Sequence, residues 1–168
     1  MISSKSSEFT KYYNEDIETM DRERLETLQL DRLKWQVKRC YESSEFYQER
    51  FNKIGLKPGD IESLNDVLKI PPVTKQELRD EQIAHPPFGR YIVAPQKDWR
   101  ELHPSTGTTG VPVNTIWTEK DVENITQWTI RTLWNFGVRP GDIVQNGFSY
   151  GLWVAGMSTH YAAKAMGC

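Results

Sequence analysis

Ser105-Thr106-Gly107-Thr108-Thr109-Gly110-Val111-Pro112 is the stretch on which the reading of this chain turns. Gly107 and Gly110 can take backbone angles that let N–H groups converge on one anion, while Ser105, Thr106, Thr108 and Thr109 add hydroxyl donors without bulk. Such a loop suits a polyphosphate and points to nucleotide chemistry. It is not a Walker A loop, which ends G-K-[ST]: here Val111 and Pro112 follow the second glycine, and the GTP-hydrolase and kinase readings lose their basis. A glycine- and threonine-rich stretch before a proline is equally a tight connection between strands, so the flanking sequence has to decide.

Asp98 to His103 predicts a strand before the loop, and Val113 to Trp117, β-branched and aromatic, predicts another after it. Thr118 and Asp121 open a helix with Val122, Ile125, Thr129, Leu133 and Phe136 on one face, which leaves Trp128 and Trp134 off it. Gly137 closes that helix. The Pro140-Gly141 turn then returns the chain to a buried-looking strand, Asp142 to Asn146, and strand, helix, strand in this order favours a right-handed crossover and a parallel pair. A second apolar helix, Leu152 to Met166, carries the small residues Ala155, Gly156, Ser158, Ala162 and Ala163, which permit close packing.

The first half reads as helix. From Asp21 onward, Leu25, Leu28, Leu33, Val37 and Tyr41 recur near one face of an amphipathic helix. Ser43-Ser44 can cap a second, whose Phe46, Tyr47, Phe51 and Ile54 precede a stop at Gly55. Asn65 to Leu68 is a short turn stopped by Pro71-Pro72, and Thr74 with Glu77 is a capping-box signature for a third helix that ends near His85-Pro86-Pro87. Tyr41, Phe46 and Phe51 at this spacing read as core sooner than as ligand contacts. Residues 1–85 are therefore expected to form a helical unit and residues 86–168 an α/β part.

The whole pattern resembles the adenylate-forming superfamily, whose hallmark is a Thr-Ser-Gly-Thr-Thr-Gly-x-Pro-Lys loop, and within it the phenylacetate–coenzyme A ligase family. The closer likeness rests on Gly137-Val138-Arg139-Pro140-Gly141-Asp142-Ile143-Val144-Gln145-Asn146, on Phe148-Ser149-Tyr150-Gly151-Leu152-Trp153, on His160-Tyr161, and upstream on Pro71-Pro72-Val73-Thr74-Lys75-Gln76-Glu77-Leu78-Arg79. The resemblance implies an α/β fold in which the N-terminal helical unit is followed by the first part of a layered adenylation domain, truncated near Cys168. It also implies ATP, Mg2+ and coenzyme A as co-substrates of a longer enzyme, a carboxylic acid as substrate and a homodimer. The 168 residues alone are expected to be inactive, to hold no cofactor tightly and to self-associate.

The resemblance gives the loop Ser105, Thr106, Gly107, Thr108, Thr109 and Gly110 the nucleotide phosphates. The crevice beyond the carboxyl end of a strand is where an open α/β sheet receives its ligand, and Gln145 to Gly151 occupies that place. Phe148 and Tyr150, with glycines on either side, can wall a slot for a planar acid or plug a core; by resemblance Phe148, Tyr150 and Gly151 line the aryl-acid pocket. Tyr150 is expected to shape that pocket and not to transfer protons. His103 and His160 read first as hydrogen-bonded structural residues, and no catalytic side chain is assigned, because adenylation needs no protein nucleophile. The family's lysine after the second loop glycine is Val111 here, and the superfamily's later lysine is Val113. A fixed positive charge is lost, which leaves open a divergent enzyme that delivers its acyl group to an amine or a carrier protein, or a noncatalytic assembly module.

A formal charge of −2 with mixed signs offers no broad basic field for nucleic acid and no polybasic membrane anchor. Met1 to Ser7 lacks the apolar core of a signal peptide, no run reaches membrane-spanning length, and the expected location is cytoplasmic. Cys40 and Cys168 are far apart and lack metal-ligand spacing, so free thiols are expected and no metal site.

Overall fold

The structure is a computed structural model and describes residues 10–105 and 110–168. The chain divides into two compact units, one of residues 21–118 and one of residues 119–168 with the described part of the first twenty. Helix α1 (Glu15–Glu18) belongs to the second unit.

The first unit begins with α2 (Arg22–Ser43), capped by the Asp21 carboxylate, which accepts from Arg24 N. Ser44 separates it from α3 (Glu45–Lys53): its hydroxyl accepts from Tyr47 N at 3.4 Å and donates to Arg90 O at 2.6 Å, so one buried side chain caps a helix and ties down a distant segment. The chain leaves α3 through Gly55, whose φ of +72° favours glycine. Two 3₁₀ turns follow, Pro58–Asp60 and Leu64–Lys69. Helix α4 (Lys75–Ala84) starts at Thr74 with the expected reciprocal capping box: Glu77 N donates to Thr74 Oγ1 and Thr74 N to Glu77 Oε2.

Val37, Cys40, Phe51, Leu56 and Ile61 form one core of this unit, with Leu33 and Tyr41 packed against it. Burial raises the Cys40 thiol pKa above its ordinary value. The unit ends in an antiparallel hairpin of β1 (Trp99–Pro104) and β2 (Asn114–Thr118), in register from Glu101 opposite Trp117 to Pro104 opposite Asn114. Both strands stand where the sequence predicts them. Val113 packs with Phe46 and Tyr91 in a second core, which fastens the hairpin to the helices.

In the second unit α5 (Glu119–Asn135) packs on α6 (Val154–Met166) through Ile130, Trp134, Ala162 and Met166. The buried stripe of α5 is Thr126, Thr129, Ile130 and Trp134, turned about one position from the apolar face expected from the sequence. Trp134, expected off that face, is buried, while Phe136 is 81% exposed. Of the two threonines on this stripe, Thr126 donates its hydroxyl to Val122 O at 2.7 Å within the helix, while the buried Thr129 Oγ1 has no hydrogen-bond partner among the described residues. Arg139 stacks on Trp134 at 4.1 Å and donates to Trp134 O and Val138 O, and Gly141 N donates to Gly167 O beyond α6.

The third predicted strand does not form. Asp142 to Asn146 has no ladder partner among the described residues, Ile143 is fully exposed, and the described sheet is the antiparallel hairpin instead of a parallel pair. A strand is a property of its neighbours: without a second backbone to receive its N–H and C=O groups, a β-prone sequence remains an extended segment.

The α3–α4 contact carries a pH dependence. Glu77 accepts from Thr74 N and from Arg50, which together hold its carboxyl down to about 2 from the ordinary 4.5. Because the folded-state value is the lower one, the stabilisation is complete above about pH 4.5 and is lost as pH falls through about 2. Acid unfolding followed by circular dichroism is expected to show that limb in the parent and a shallower one in Glu77→Gln.

Candidate functional site

The neck of the Ser105–Pro112 loop is closed by one backbone and one side-chain bond: Ser105 N donates to Val113 O at 2.8 Å, and Val113 N donates to Ser105 Oγ at 3.0 Å. The Ser105 hydroxyl oxygen is thus occupied at the neck, and its O–H is what it can offer to an anion. Gly110 sits at φ +125°, where a Cβ would be strained. Thr106, Gly107, Thr108 and Thr109 lie outside the described residues.

Helix α4 holds the loop's exit. Gln82, 7% exposed, donates from Nε2 to Pro112 O at 3.1 Å and accepts Asn114 N at Oε1 at 2.9 Å, and the Tyr91 hydroxyl lies 2.9 Å from Asn114 O. Arg79 Nε donates to Val111 O at 2.9 Å, which brings a guanidinium to the loop's exit. None of these residues stands out in the sequence by itself. The available signal is that Gln82 follows Leu78 by four residues and so shares its inward face, where an amide needs partners. His103 behaves as a structural residue, buried on β1 with Nε2 at 2.8 Å from Glu101 Oε2 and its ring 4.2 Å from Trp117.

Replacing Gln82 by Leu strands the Asn114 N–H and removes the donor to Pro112 O. Urea unfolding of Gln82→Leu is expected to show a loss of about 1–3 kcal/mol, the range for buried groups left unpaired.

The candidate acid site lies in the other unit. Phe148 is 50% and Tyr150 59% exposed, and Gly151 is exposed with open space where a Cβ would stand. Phe148 stands edge-on to Trp153, ring centroids 5.7 Å apart. Tyr150 instead faces a cavity of ≈ 320 Å³ that it lines with Val144, Asn146, His160 and Lys164. The glycine that the arrangement requires is Gly156, not Gly151: a Cβ there would stand 2.5 Å from Ser149 O, so the segment carrying Phe148 and Tyr150 can lie against α6 only over a bare Cα. In the sequence that close approach is legible only as one small residue among several on α6.

Gly156→Ala sets two magnitudes against each other. Alanine gains about 1 kcal/mol of helix propensity over glycine, but backbone at 2.5 Å cannot give way as a flexible side chain would. The clash is expected to win, seen as a lower unfolding temperature and faster proteolysis at residues 148–152.

Among the described residues no group of three or more His, Cys, Asp or Glu side chains is placed to hold a metal, and no helix is long and apolar enough to cross a membrane. The two candidate clusters offer hydroxyl and backbone donors in one unit and aromatic surface with a polar cavity in the other.

The chain is 38% identical over 154 residues to phenylacetate–coenzyme A ligase of Aromatoleum evansii, an alignment covering 92% of this chain and 34% of the relative. The Escherichia coli enzyme of the same name is 36% identical over 151 residues, covering 90% and 33%, and that of Thermus thermophilus 36% over 155 residues, covering 92% and 34%. Among solved structures, 2-hydroxyisobutyryl-CoA ligase in an open conformation with 2-HIB-AMP and CoA superposes with a TM-score of 0.87 at 27% identity, over 96% of this chain and 37% of that one. The same enzyme in its thioesterification state gives 0.87 at 30% identity, over 94% and 33%. No protein-family model matches the chain. The fold is that of the adenylate-forming CoA ligases. Across nine-tenths of its length the chain is similar to phenylacetate–coenzyme A ligases, and it spans about a third of the length of the relatives it matches.

Proposed function

We propose that these residues serve an ATP-dependent ligase that activates an aromatic carboxylic acid, phenylacetate or a relative, and passes the acyl group to coenzyme A. The observation that carries the reading is the likeness to phenylacetate–coenzyme A ligases across nine-tenths of the chain. The activity belongs to a polypeptide that joins these residues to counterparts of the relatives' other two-thirds.

In the first step a carboxylate oxygen attacks the α-phosphorus of ATP, the new O–P bond forms, and pyrophosphate leaves with the electrons of the broken bond. In the second, the thiol sulfur attacks the acyl carbon, AMP departs and the thiol proton is released. Neither step requires a protein nucleophile, so the protein's work is positioning and charge neutralisation. Ser105 to Gly110 hold the β- and γ-phosphates, with Mg2+ arriving on the nucleotide, and Phe148, Tyr150 and Gly151 line the acid site. With Val111 in place of lysine the loop lacks a charge-assisted phosphate contact worth roughly 1.5–3 kcal/mol, so ATP binds more weakly than it would with lysine there. Homodimerisation through the N-terminal helices and a cytoplasmic location, where ATP and coenzyme A are supplied, belong to the same reading.

The direct test is pyrophosphate and AMP release by the full-length protein across a panel of carboxylic acids, with and without coenzyme A. Aryl acids should support release, and AMP should turn over only with the thiol; turnover with an amine or carrier protein in its place would redirect the second step. Tyr150→Ala is expected to lower kcat/KM for aryl acids by roughly 1–3 kcal/mol in transition-state binding while short aliphatic acids change little. An equal loss for every acid would move Tyr150 into the shared adenylation step.

A further inference from the structure

Asn146 has one possible orientation. Phe148 N donates to its Oδ1 at 3.2 Å and its Nδ2 donates to Gly156 O at 2.9 Å, and neither backbone group can exchange roles. The same Nδ2 therefore presents a proton to the Tyr150 hydroxyl oxygen, 3.2 Å away. The Tyr150 hydroxyl also lies 3.3 Å from His160 Nδ1, where its O–H can donate to that nitrogen when the ring proton sits on Nε2. The two rings also meet edge to face, with centroids 5.6 Å apart and planes at 82°.

We propose that His160 is a positioning residue of the acid site: by accepting the Tyr150 proton at the end of a chain that begins at Asn146, it fixes the direction in which the Tyr150 ring faces the cavity. This rests on the reading of Tyr150 as a wall for aryl acids. Tyr150 projects from an exposed segment that is held by the close approach at Gly156 and by these hydrogen bonds. An aromatic wall favours a planar acid only when its ring is already turned to meet it, since ordering it on binding costs affinity. The tether acts on binding and not on bond making, so its signature is in KM.

The test separates the hydrogen-bond chain from the ligase reading. Long-range 15N–1H spectra of the 168-residue chain should show His160 as the Nε2–H tautomer, with Nδ1 shifted when Tyr150→Phe removes the donor; an Nδ1–H tautomer overturns the proposal. In the full-length enzyme His160→Phe keeps a ring without an acceptor, and His160→Asn keeps an acceptor near the same position. KM for the aryl acid should rise roughly three- to tenfold in His160→Phe with kcat nearly unchanged, as for one lost hydrogen bond, and should recover in His160→Asn. Tyr150→Phe should cost a similar factor and the Tyr150→Phe, His160→Phe double variant no more than either. An unchanged KM, an equal rise for aliphatic acids or additive losses would overturn it. Should the parent release no pyrophosphate with any aryl acid, the ligase reading and the positioning role both fall, while the spectra still decide whether the chain of hydrogen bonds exists.

Discussion

The first unit depends on one side-chain amide doing what a neighbouring strand would otherwise do. Gln82 donates to Pro112 O and accepts Asn114 N, so α4 completes the hydrogen bonding of β2 where the strand emerges from the loop. A two-stranded hairpin is marginal by itself, and this one persists because Val113 is packed under Phe46 and Tyr91 while Gln82 satisfies the backbone beside it. The loop inherits its place from that attachment. Ser105 and Val113 close its neck, Arg79 holds Val111 O, and the phosphate-binding role proposed for the loop requires such a fixed frame, since donors that must be ordered on binding lose affinity.

Charge supports this frame unevenly. Arg90 reaches Glu81 on α4 and Glu49 and Glu45 on α3, and the Glu81 side chain is 9% exposed whereas those of Glu49 and Glu45 are 63% and 74% exposed. The exposed pairs contribute little after screening and side-chain entropy. The Glu81 pair matters more because its carboxylate is shielded from water, and the Arg90 guanidinium holds the Glu81 carboxyl below its usual range. The second unit relies on dispersion instead: fully buried Ile130 and Ala162 and the Arg139 guanidinium stacked on Trp134 bind α5, α6 and the turn between them.

Where local chemistry decides, the sequence can be read. Asp21, Ser44 and the Thr74–Glu77 pair are caps whose partners lie within one turn, and each stands at the helix start expected of it. β1 and β2 are legible because they pair with each other across a short loop. Asp142 to Asn146 reads as a buried strand because its composition is that of a strand, while its ladder has no partner among the described residues. Trp134 and Phe136 exchange their expected places for a related reason: periodicity gives a stripe on α5, but its rotation is set by what α6 offers.

The same division runs through the candidate site. Its residue types, Ser105 and Gly110 at the two sides of the loop and Phe148, Tyr150 and Gly151 after an extended segment, were determined by the sequence, because loop glycines, hydroxyls and aromatics carry their chemistry locally. Tertiary structure decided what holds them: Gln82 reaching 32 residues forward to Asn114, Gly156 yielding space to Ser149 O, and His160 closing on Tyr150. Each of these is a contact between segments that no spacing rule links. Hydrogen-bond donors and steric room acquire their partners only when the chain has folded.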